Sequence, residues 1–280
     1  MRESSPRSPM TIAEAFKPAT TAQDAVALMV QVLDRQDEHE QIRQLRAWAI
    51  ARSGAGPGVV AVDVGSGTGV VTRMLADLVG PAGRALGVEP NPALRDLAVE
   101  RASEAGSSAV FTDGSAADLP LPDESVDLVW CERVLQHLVD PVGALREMHR
   151  VLRPGGRALV LDADHRTRMN SAIDLDVERR LQELFLSKAA NPSAARHVPR
   201  QAADVGFLID EDIGSVALIF PRDMLLHSPL LRHALSEAVA AGVLTEAEAE
   251  RAEADQTTAA EAGTALAAVS VFAFVLHKPG

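Results

Sequence analysis

The sequence predicts an α/β fold with a doubly wound, mostly parallel sheet and a helical lid. Three observations predict it. An apolar stretch ends in a glycine turn at residues 62–69 (VDVGSGTG), and a helical pattern follows at once. Apolar strand patterns then alternate with helical patterns as far as Asp162, as in repeated βα units. After Asp162 the alternation stops, and long helical patterns separate the remaining strands.

The predicted elements follow from the spacing of apolar residues along the chain and from the positions of turn-forming residues. Strands are predicted at 59–64, 84–89, 109–111, 126–130, 157–162, 213–220 and 269–276. Helices are predicted at 11–16, 22–33, 41–51, 70–79, 92–105, 141–152, 170–189, 199–205, 229–241 and 245–262. The charged residues 34–40 between the second and third helices read as a solvated turn or a helix end.

Five segments are predicted from this order. Residues 1–10 form a disordered tail rich in Ser and Pro, 11–57 a helical cap, and 58–165 the ligand-binding core. Residues 166–206 form a helical lid, and 207–280 return to the core with inserted helices at 222–262. Ligands of such sheets bind at the carboxyl ends of the strands.

Composition narrows the function classes. A net charge of −12 and the absence of a Lys/Arg stripe argue against nucleic acid as a partner. No apolar run is long enough to span a membrane, and the first residues lack the apolar core of a signal peptide. The single cysteine, Cys131, suits a reducing compartment. We therefore expect a cytoplasmic protein, with no membrane partner.

The glycine turn holds a ligand above the first strand, since glycines allow close backbone approach and the next helix begins with unpaired N–H groups. Its glycines stand at positions 65, 67 and 69, and Val70 occupies the place of the last glycine in the dinucleotide pattern G-x-G-x-x-G. No Lys follows to make a phosphate-binding loop. The remaining interpretation is S-adenosyl-L-methionine, a cofactor without phosphates.

Acidic residues follow the next two strands. Glu89 ends the second strand, where a carboxylate can accept both ribose hydroxyl protons. Asp113 and Gly114 follow the third strand, where they can bind the adenine amine and ring nitrogens. The alternatives are an exposed loop carboxylate for Glu89 and a simple Asx turn for Asp113, which is compatible with adenine binding.

These residues resemble the class I S-adenosylmethionine-dependent methyltransferases, in the branch that acts on small molecules (natural-product and ubiquinone/menaquinone-like, type 11). The resemblance covers about residues 40–165. It is carried by residues 62–69, 87–90, 113–122, 125–138 and 147–156, in the family's order and spacing. It implies a Rossmann-like sheet of seven strands, the last of them antiparallel.

The resemblance also implies roles for individual residues. Gly65, Ser66 and Gly67 line the methionine part of the cofactor, Glu89 with Pro90 lies at the ribose, and Asp113, Gly114 and Ser115 lie at the adenine. Cys131 lies near the sulfonium. Arg46 resembles an arginine that binds the methionine carboxylate, and Arg43 is its rival; for either, a solvated helix face is the alternative.

Two histidines are the candidate catalytic residues. Methyl transfer from a sulfonium needs alignment and a dry pocket, and it needs a base only if the nucleophile must lose a proton. His137 follows the fourth strand and His165 the fifth, so both face the cofactor edge. A packing role is the alternative for His137, and His197 and His227 are further lid candidates. Asp162, Asp164 and His165 have the donor types of an oxygen/nitrogen metal corner, but a strand-end acidic loop is the favoured interpretation, and no metal site is predicted.

The predicted acceptor is a small, aromatic or heterocyclic metabolite, methylated at N, O or C. An apolar mixture of lid residues suits such a molecule, but packed helices need the same mixture. The alternative function is a non-catalytic S-adenosylmethionine-binding or regulatory protein of the same fold. The acidic balance and the absence of a basic arm disfavour methylation of nucleic acid. The Asn/Asp-Pro-Pro-Tyr-type motif of amide- and adenine-methylating relatives is not seen after the fourth strand, where residues 130–133 read WCER. A monomer or homodimer is expected.

Overall fold

The computed structural model describes residues 23–226 and 228–280. The predicted disordered tail, the predicted helix at 11–16 and the lid candidate His227 therefore lie outside the described residues.

Within these described residues, eight strands form one sheet. In spatial order they run β3-β2-β1-β4-β5-β8, with β6 and β7 sharing the edge beyond β8. The strands are β1 Val60–Val64, β2 Arg84–Val88, β3 Val110–Thr112, β4 Val126–Glu132, β5 Leu152–Asn170, β6 Leu208–Ile209, β7 Gly214–Ile219 and β8 Ala267–His277. The first five pair in parallel, and β8 pairs antiparallel with β5.

The sheet has eight strands but only seven strand positions, because β6 and β7 share one position. β6 pairs with His277 and Leu276 of β8, and β7 pairs with the stretch from Ala273 to Ala268 on the same edge. They are therefore two pieces of one edge strand. This confirms the predicted doubly wound, mostly parallel sheet with seven strand positions and an antiparallel terminal strand.

Helices cover both faces of the sheet. The helices are α1 Gln23–Glu38, α2 Glu40–Ser53, α3 Val70–Val79, α4 Pro92–Glu104, α5 Pro141–Val151, α6 Leu175–Lys188, α7 Ala194–Val205, α8 Arg222–Leu225, α9 Pro229–Ala240 and α10 Glu246–Glu261. The apolar stripes of α2 and α3 pack on one face of the sheet, and those of α5 and α7 on the other.

Helix α7 begins five residues before its predicted start at Pro199 (199 − 194 = 5). Ala194, Ala195 and Val198 are buried against the sheet. That burial outweighs the one backbone hydrogen bond that a proline inside a helix removes. Within the segment predicted as a lid, α7 thus belongs to the layer that covers the sheet.

Helices α6, α9 and α10 form a smaller apolar core of their own. Val177, Leu235, Ala238, Leu244 and Ala252 are its buried members. This helical group stands beside the carboxyl end of β5, which α6 contacts. Across the part of the chain that the structure describes, no helix is both long and apolar enough to cross a membrane.

Candidate active site

The glycine turn joins β1 to α3 at the carboxyl edge of the sheet. Gly65, Gly67 and Gly69 have φ values of 71°, 54° and 78°, a region that non-glycine residues rarely adopt. A Cβ on Gly65 would lie 2.5 Å from Val134. The turn therefore needs glycine both for its backbone conformation and for the close approach of the segment that follows β4.

Ser66 and Glu89 are the polar groups of this turn. The Ser66 hydroxyl is buried, and among the described residues it has no hydrogen-bond partner. Each oxygen of the buried Glu89 carboxylate accepts one backbone N–H, from Gly67 and from Asn91, both at 2.9 Å. Burial raises the pKa of Glu89. The carboxylate thus ties the turn after β1 to the Pro90 turn after β2.

The turn after β3 lies at the outer edge of the site. Asp113 is exposed, and its Oδ1 accepts a hydrogen bond from Arg95 at 2.7 Å. Gly114 packs so closely that an added Cβ would lie 2.7 Å from Cδ of Pro120. Ser115 forms an isolated β-bridge with Asp118. The three residues therefore form a shaped turn beside Glu89.

Arg46 reaches from α2 to the end of β4, whereas its rival Arg43 is exposed and pairs with Glu40 of its own helix. The buried Arg46 guanidinium donates to both oxygens of Glu132, at 2.8 and 2.9 Å, and to Asp37 at 2.5 Å. These partners raise its pKa despite burial. Arg46 is thus the central cation of a buried ion cluster, and its contact with a cofactor carboxylate stays a prediction.

Cys131 lies inside the sheet, where β4 pairs with Val64 of β1 and Val160 of β5. It is fully buried, and burial raises the pKa of its thiol. Two residues later, Arg133 has a φ of 57° and donates its N–H to the carbonyl of Leu161 at 2.7 Å. Non-glycine residues in this region often mark functional sites, and this bend directs the next residues over the site.

One amide group joins the two predicted catalytic histidines. Gln136 Oε1 lies 2.7 Å from Nε2 of His165, and Gln136 Nε2 lies 3.2 Å from Nε2 of His137. Nε2 of Gln136 also donates to the carbonyl of Arg133 at 3.3 Å. Because a carbonyl can only accept, this contact fixes the orientation of the amide. His165 therefore carries its proton on Nε2, and His137 accepts a hydrogen bond on Nε2.

Both histidines are neutral at physiological pH. Withdrawal from water lowers the pKa of His137 to about 4, with Arg133 adding to the effect, although solvent still reaches the ring. Desolvation, with the charge of Arg168, lowers the pKa of His165 to about 3. Nδ1 of His165 is buried without a hydrogen-bond partner among the described residues. It is a free acceptor, since the proton is on Nε2.

A bulge in β5 takes His165 out of the pairing with β8, and the N–H of His165 donates to the carbonyl of Pro192 at 2.9 Å. Asp164 pairs with Ser270, and Met169 pairs with Ala268. Between these two pairs the chain advances five residues along β5 (169 − 164) but only two along β8 (270 − 268). β5 therefore contains three extra residues at this point. Thr167 accepts the N–H of Ser270 at 2.8 Å and donates to the carbonyl of Asp164 at 2.7 Å. The hydroxyl thus takes over hydrogen bonds that the interrupted strand pairing no longer makes. Bulges of this kind commonly turn side chains toward functional sites.

A cavity of about 170 Å³ opens beside this bulge. It lies between the end of β5 and the helices α6, α8, α9 and α10, and most of its lining is apolar. Arg168, Gln182 and Phe185 line it. The Phe185 ring also lies edge-on to His165, with centroids 5.2 Å apart. Phe185 thus connects the cavity wall with His165.

The histidines, the glycine turn and Glu89 all lie at the carboxyl edge predicted from the sequence. Sequence reasoning missed Gln136, Glu132 and Arg168 as members of the site. Gln136 could have been found, because it follows the predicted fourth strand as His165 follows the predicted fifth, and β4 and β5 are neighbours. The sequence carries no comparable signal for the other two.

The Asp162, Asp164 and His165 corner is occupied by protein contacts. Asp162 accepts the N–H groups of Ala163 and Gln136, and Asp164 pairs with Arg196. Within residues 23–226 and 228–280, no group of three or more His, Cys, Asp or Glu side chains could hold a metal ion.

The residues of the glycine turn fit S-adenosylmethionine. Among the described residues, the buried Ser66 hydroxyl has no hydrogen-bond partner. The glycines leave the backbone of the turn open to close approach, since an added Cβ at Gly65 would lie against Val134. Glu89 is a buried carboxylate with two oxygens held in place, as required by a ribose with two hydroxyls.

Comparisons with known proteins agree with this fit. Residues 62–160 match the family described as "Methyltransferase domain". A 37.1 kDa protein in transposon TN4556 of Streptomyces fradiae is 32% identical over 188 residues, covering 67% of this chain and 54% of that protein. The 2-phytyl-1,4-naphtoquinone methyltransferase of Synechococcus elongatus is 32% identical over 155 residues, covering 54% and 64%. The chain thus spans about half to two thirds of these relatives.

The fold has a similar solved structure. The YcgJ protein of Bacillus subtilis superimposes with a TM-score of 0.58 at 19% identity, over 85% of this chain and 99% of that one. Residues 62–160 of this chain therefore form an S-adenosylmethionine-dependent methyltransferase domain, and the similar solved structure supports the fold of the sheet.

Proposed function

We propose that this chain transfers the methyl group of S-adenosyl-L-methionine to a small aromatic or heterocyclic acceptor. The observation that carries the proposal is the bulge in β5. His165 lies in this bulge, and its ring contacts Phe185, which lines the apolar cavity. The name of the Synechococcus relative gives a naphthoquinone ring as its substrate, which supports an acceptor of this class here.

The cofactor-binding residues are proposed as the sequence predicted them. Gly65, Ser66 and Gly67 would hold the methionine part, with Arg46 at its carboxylate. Glu89 and Pro90 would hold the ribose. The adenine would lie against Asp113, Gly114 and Ser115, and the sulfur near Cys131. Bound S-adenosylmethionine supplies an electrophilic methyl group and a neutral leaving group.

The two histidines are proposed to orient the acceptor. With pKa values of about 4 and 3, they are weak bases at neutral pH. Nδ1 of His165 can nevertheless accept a hydrogen bond from an O–H or N–H nucleophile, which points a lone pair at the methyl group. Such alignment supplies much of the barrier lowering in a reaction of this type. We therefore favour an orienting role over general-base catalysis.

The helices that line the cavity are proposed as the lid. α6, α8, α9 and α10 border it on the side away from the sheet, and a covered site excludes water from the reaction. The segments 166–206 and 222–262 would supply this lid, apart from α7, and α1 and α2 would cap the glycine turn.

Binding of the demethylated cofactor tests the first half of the proposal. We expect S-adenosylhomocysteine to bind the wild-type chain in titration calorimetry and Glu89→Gln to weaken binding about 10-fold or more, since hydrogen bonds to a charged group contribute roughly 1.5–3 kcal/mol. Glu100→Gln, an exposed carboxylate on α4, is the control and should bind as the wild type does. Equal affinities for the Glu89 and Glu100 variants would contradict the assignment.

Turnover tests the second half. The chain would be incubated with methyl-labelled S-adenosylmethionine and a panel of hydroxylated naphthoquinones and phenols, and labelled products would be identified by mass spectrometry. Transfer to at least one ring is expected, with His165→Ala slower than wild type at saturating acceptor. Tight cofactor binding without transfer to any panel member would favour the non-catalytic alternative.

A further inference from the structure

Arg168 is an unusual side chain for the wall of an apolar cavity. It lies in the bulge of β5 and lines the cavity between β5 and the lid helices. Its guanidinium stacks over the Phe185 ring, with Cζ 4.9 Å from the ring centroid. An arginine held on an aromatic face is partly immobilised and keeps its planar edge free for a ligand.

No protein anion neutralises Arg168 among the described residues. No carboxylate oxygen there lies within 4.0 Å of its nitrogens, although acidic residues outnumber basic ones by 39 to 27. Glu178 is the carboxylate among the residues that line the cavity, and its Oε1 accepts the N–H of Asn170 at 2.5 Å. By contrast, the neighbouring arginines of the bulge region are engaged: Arg166 donates to Ser193, and Arg196 pairs with Asp164.

Arg168 is exposed to solvent, so a ligand can reach its charge. The surrounding protein withdraws part of the water from the guanidinium and lowers its pKa. The charge also acts on the site, because it helps to lower the pKa of His165.

We propose that the acceptor is an apolar ring that carries an anionic oxygen group, a carboxylate or a phenolate, which Arg168 binds in this cavity. The guanidinium edge donates two parallel hydrogen bonds to such a group. The apolar wall of the cavity contacts the ring of the acceptor. The Phe185 ring contacts both side chains, with Cζ of Arg168 4.9 Å and the His165 ring centroid 5.2 Å from its centroid. The proposal rests on the proposed methyl transfer for its functional meaning, but not for its binding chemistry.

Matched probes test this inference without turnover. 2-Naphthoate and 2-naphthamide have the same ring and nearly the same shape, and they differ in charge. Their affinities would be measured by titration calorimetry on the whole chain saturated with S-adenosylhomocysteine. We expect naphthoate to bind about 10-fold more tightly than naphthamide, as is typical of a charge-assisted pair.

Variants assign that preference to Arg168. In Arg168→Gln the ratio should fall to about one, and Arg168→Lys should keep part of it, because the charge remains without the planar edge. Arg179→Gln is the control, since Arg179 is exposed on α6 and pairs with Asp176 and Glu183; it should keep the wild-type ratio. Thermal melts of all three variants verify folding.

Two results would overturn the inference. One is equal binding of the two probes, or no binding of either, in the wild type. The other is a preference for naphthoate that survives Arg168→Gln in a folded variant. Neither affects binding of S-adenosylhomocysteine, so a failure here is distinguishable from failure of the proposed methyl transfer. If S-adenosylhomocysteine itself does not bind, the same two probes are compared on the chain alone.

Discussion

Gln136 holds two imidazole rings with a single amide, and its orientation fixes where their protons lie. Its backbone is fixed as well: the N–H donates to the buried Asp162 at 3.2 Å, and the carbonyl accepts the N–H of Asn191 at 3.1 Å. Burial raises the pKa of Asp162 to about 7. The ring positions are therefore set by contacts from β5 and from the segment before α7, and not by the histidines' own flexible side chains.

The low pKa values of this pair give a prediction at the residue scale. Followed by nuclear magnetic resonance, the His137 and His165 rings should stay neutral from pH 8 down to about pH 5, and titrate near 4 and 3. Arg168→Gln should raise the pKa of His165, because a repelling cation is removed. Single His→Gln variants assign the signals, and titration of both rings near 6.5, the ordinary value, would contradict the lowered pKa values.

The sign of the accompanying stability change follows from linkage. The unfolded chain binds protons at these histidines near pH 6.5, and the folded chain binds them only near 4 and 3. Their contribution to stability is therefore fully present above about pH 6.5 and is lost as the pH falls toward those values. Asp63 and Asp162, with pKa values raised to about 7, act in the opposite direction, because their stabilising contribution is lost as the pH rises toward 7.

For single residues, the sequence predicted where a side chain lies on the sheet better than it predicted which side chain it pairs with. Glu89 and the histidines could be placed at the correct edge because the carboxyl ends of parallel strands meet there. The pairing of Arg46 with Glu132 could not be predicted, since it joins residues 86 positions apart. Arg168 was hidden because a bulge shifts the alternation of faces by an amount that no local pattern reveals.

Helix α1 is the element that covers the glycine turn. Met29 is buried against Leu94 of α4, and a Cβ on Gly67 would lie 3.3 Å from Leu33. The helix runs through part of the charged stretch that was expected to be a turn or helix end. Asp34 forms two hydrogen bonds with Arg101, at 2.6 and 2.8 Å, and Asp37 pairs with Arg46, so these charges bind protein and not only solvent.

Loosening α1 should weaken cofactor binding while leaving the sheet intact. Met29→Ala removes a side chain that is 1% exposed, a change that typically costs about 2–5 kcal/mol. We expect faster hydrogen exchange across 23–38 and weaker S-adenosylhomocysteine binding, with exchange in β1 and β4 unchanged. Val99→Ala, on the exposed side of α4, is the control. Unchanged affinity together with fast exchange in α1 would show that the helix is not part of the cofactor site.

Elements of the βα region could be predicted closely, because strand, turn and helix patterns are local there. The structure departs from prediction where tertiary contacts decide. β5 continues to Asn170 because β8 pairs with its extension, and residues 208–209 form a strand only because β8 offers its edge. Neither contact is visible in a window of a few residues.

The whole molecule contains apolar cores of different size. Two large clusters lie on the two faces of the sheet, and a smaller one joins α6, α9 and α10. A small core buries less apolar surface, so its helices should open at lower free energy than the sheet. The sequence predicted these helices but not their shared core, because packing between distant helices leaves no local signature.

Native-state hydrogen exchange should therefore resolve two units. We expect amides of α6, α9 and α10 to exchange together and faster than those of β1 and β4. Leu235→Ala, in the small core, should speed up amide exchange only in α6, α9 and α10. The free energy of opening of these helices should fall by about 2–5 kcal/mol. Leu145→Ala, in the sheet core, is the matched variant and should accelerate both. A single opening free energy for all these elements would refute the division.

The separate core of α6, α9 and α10 also bears on how such a chain can diversify. Side chains on these helices that face the cavity can change without altering the sheet, the glycine turn or Glu89, because the helices are stabilised among themselves. New ring shapes could then be accepted by substitution in this unit alone, with the methyl-donor half inherited unchanged. Libraries that vary 175–188 and 229–240 are the natural route to variants with altered acceptor preference.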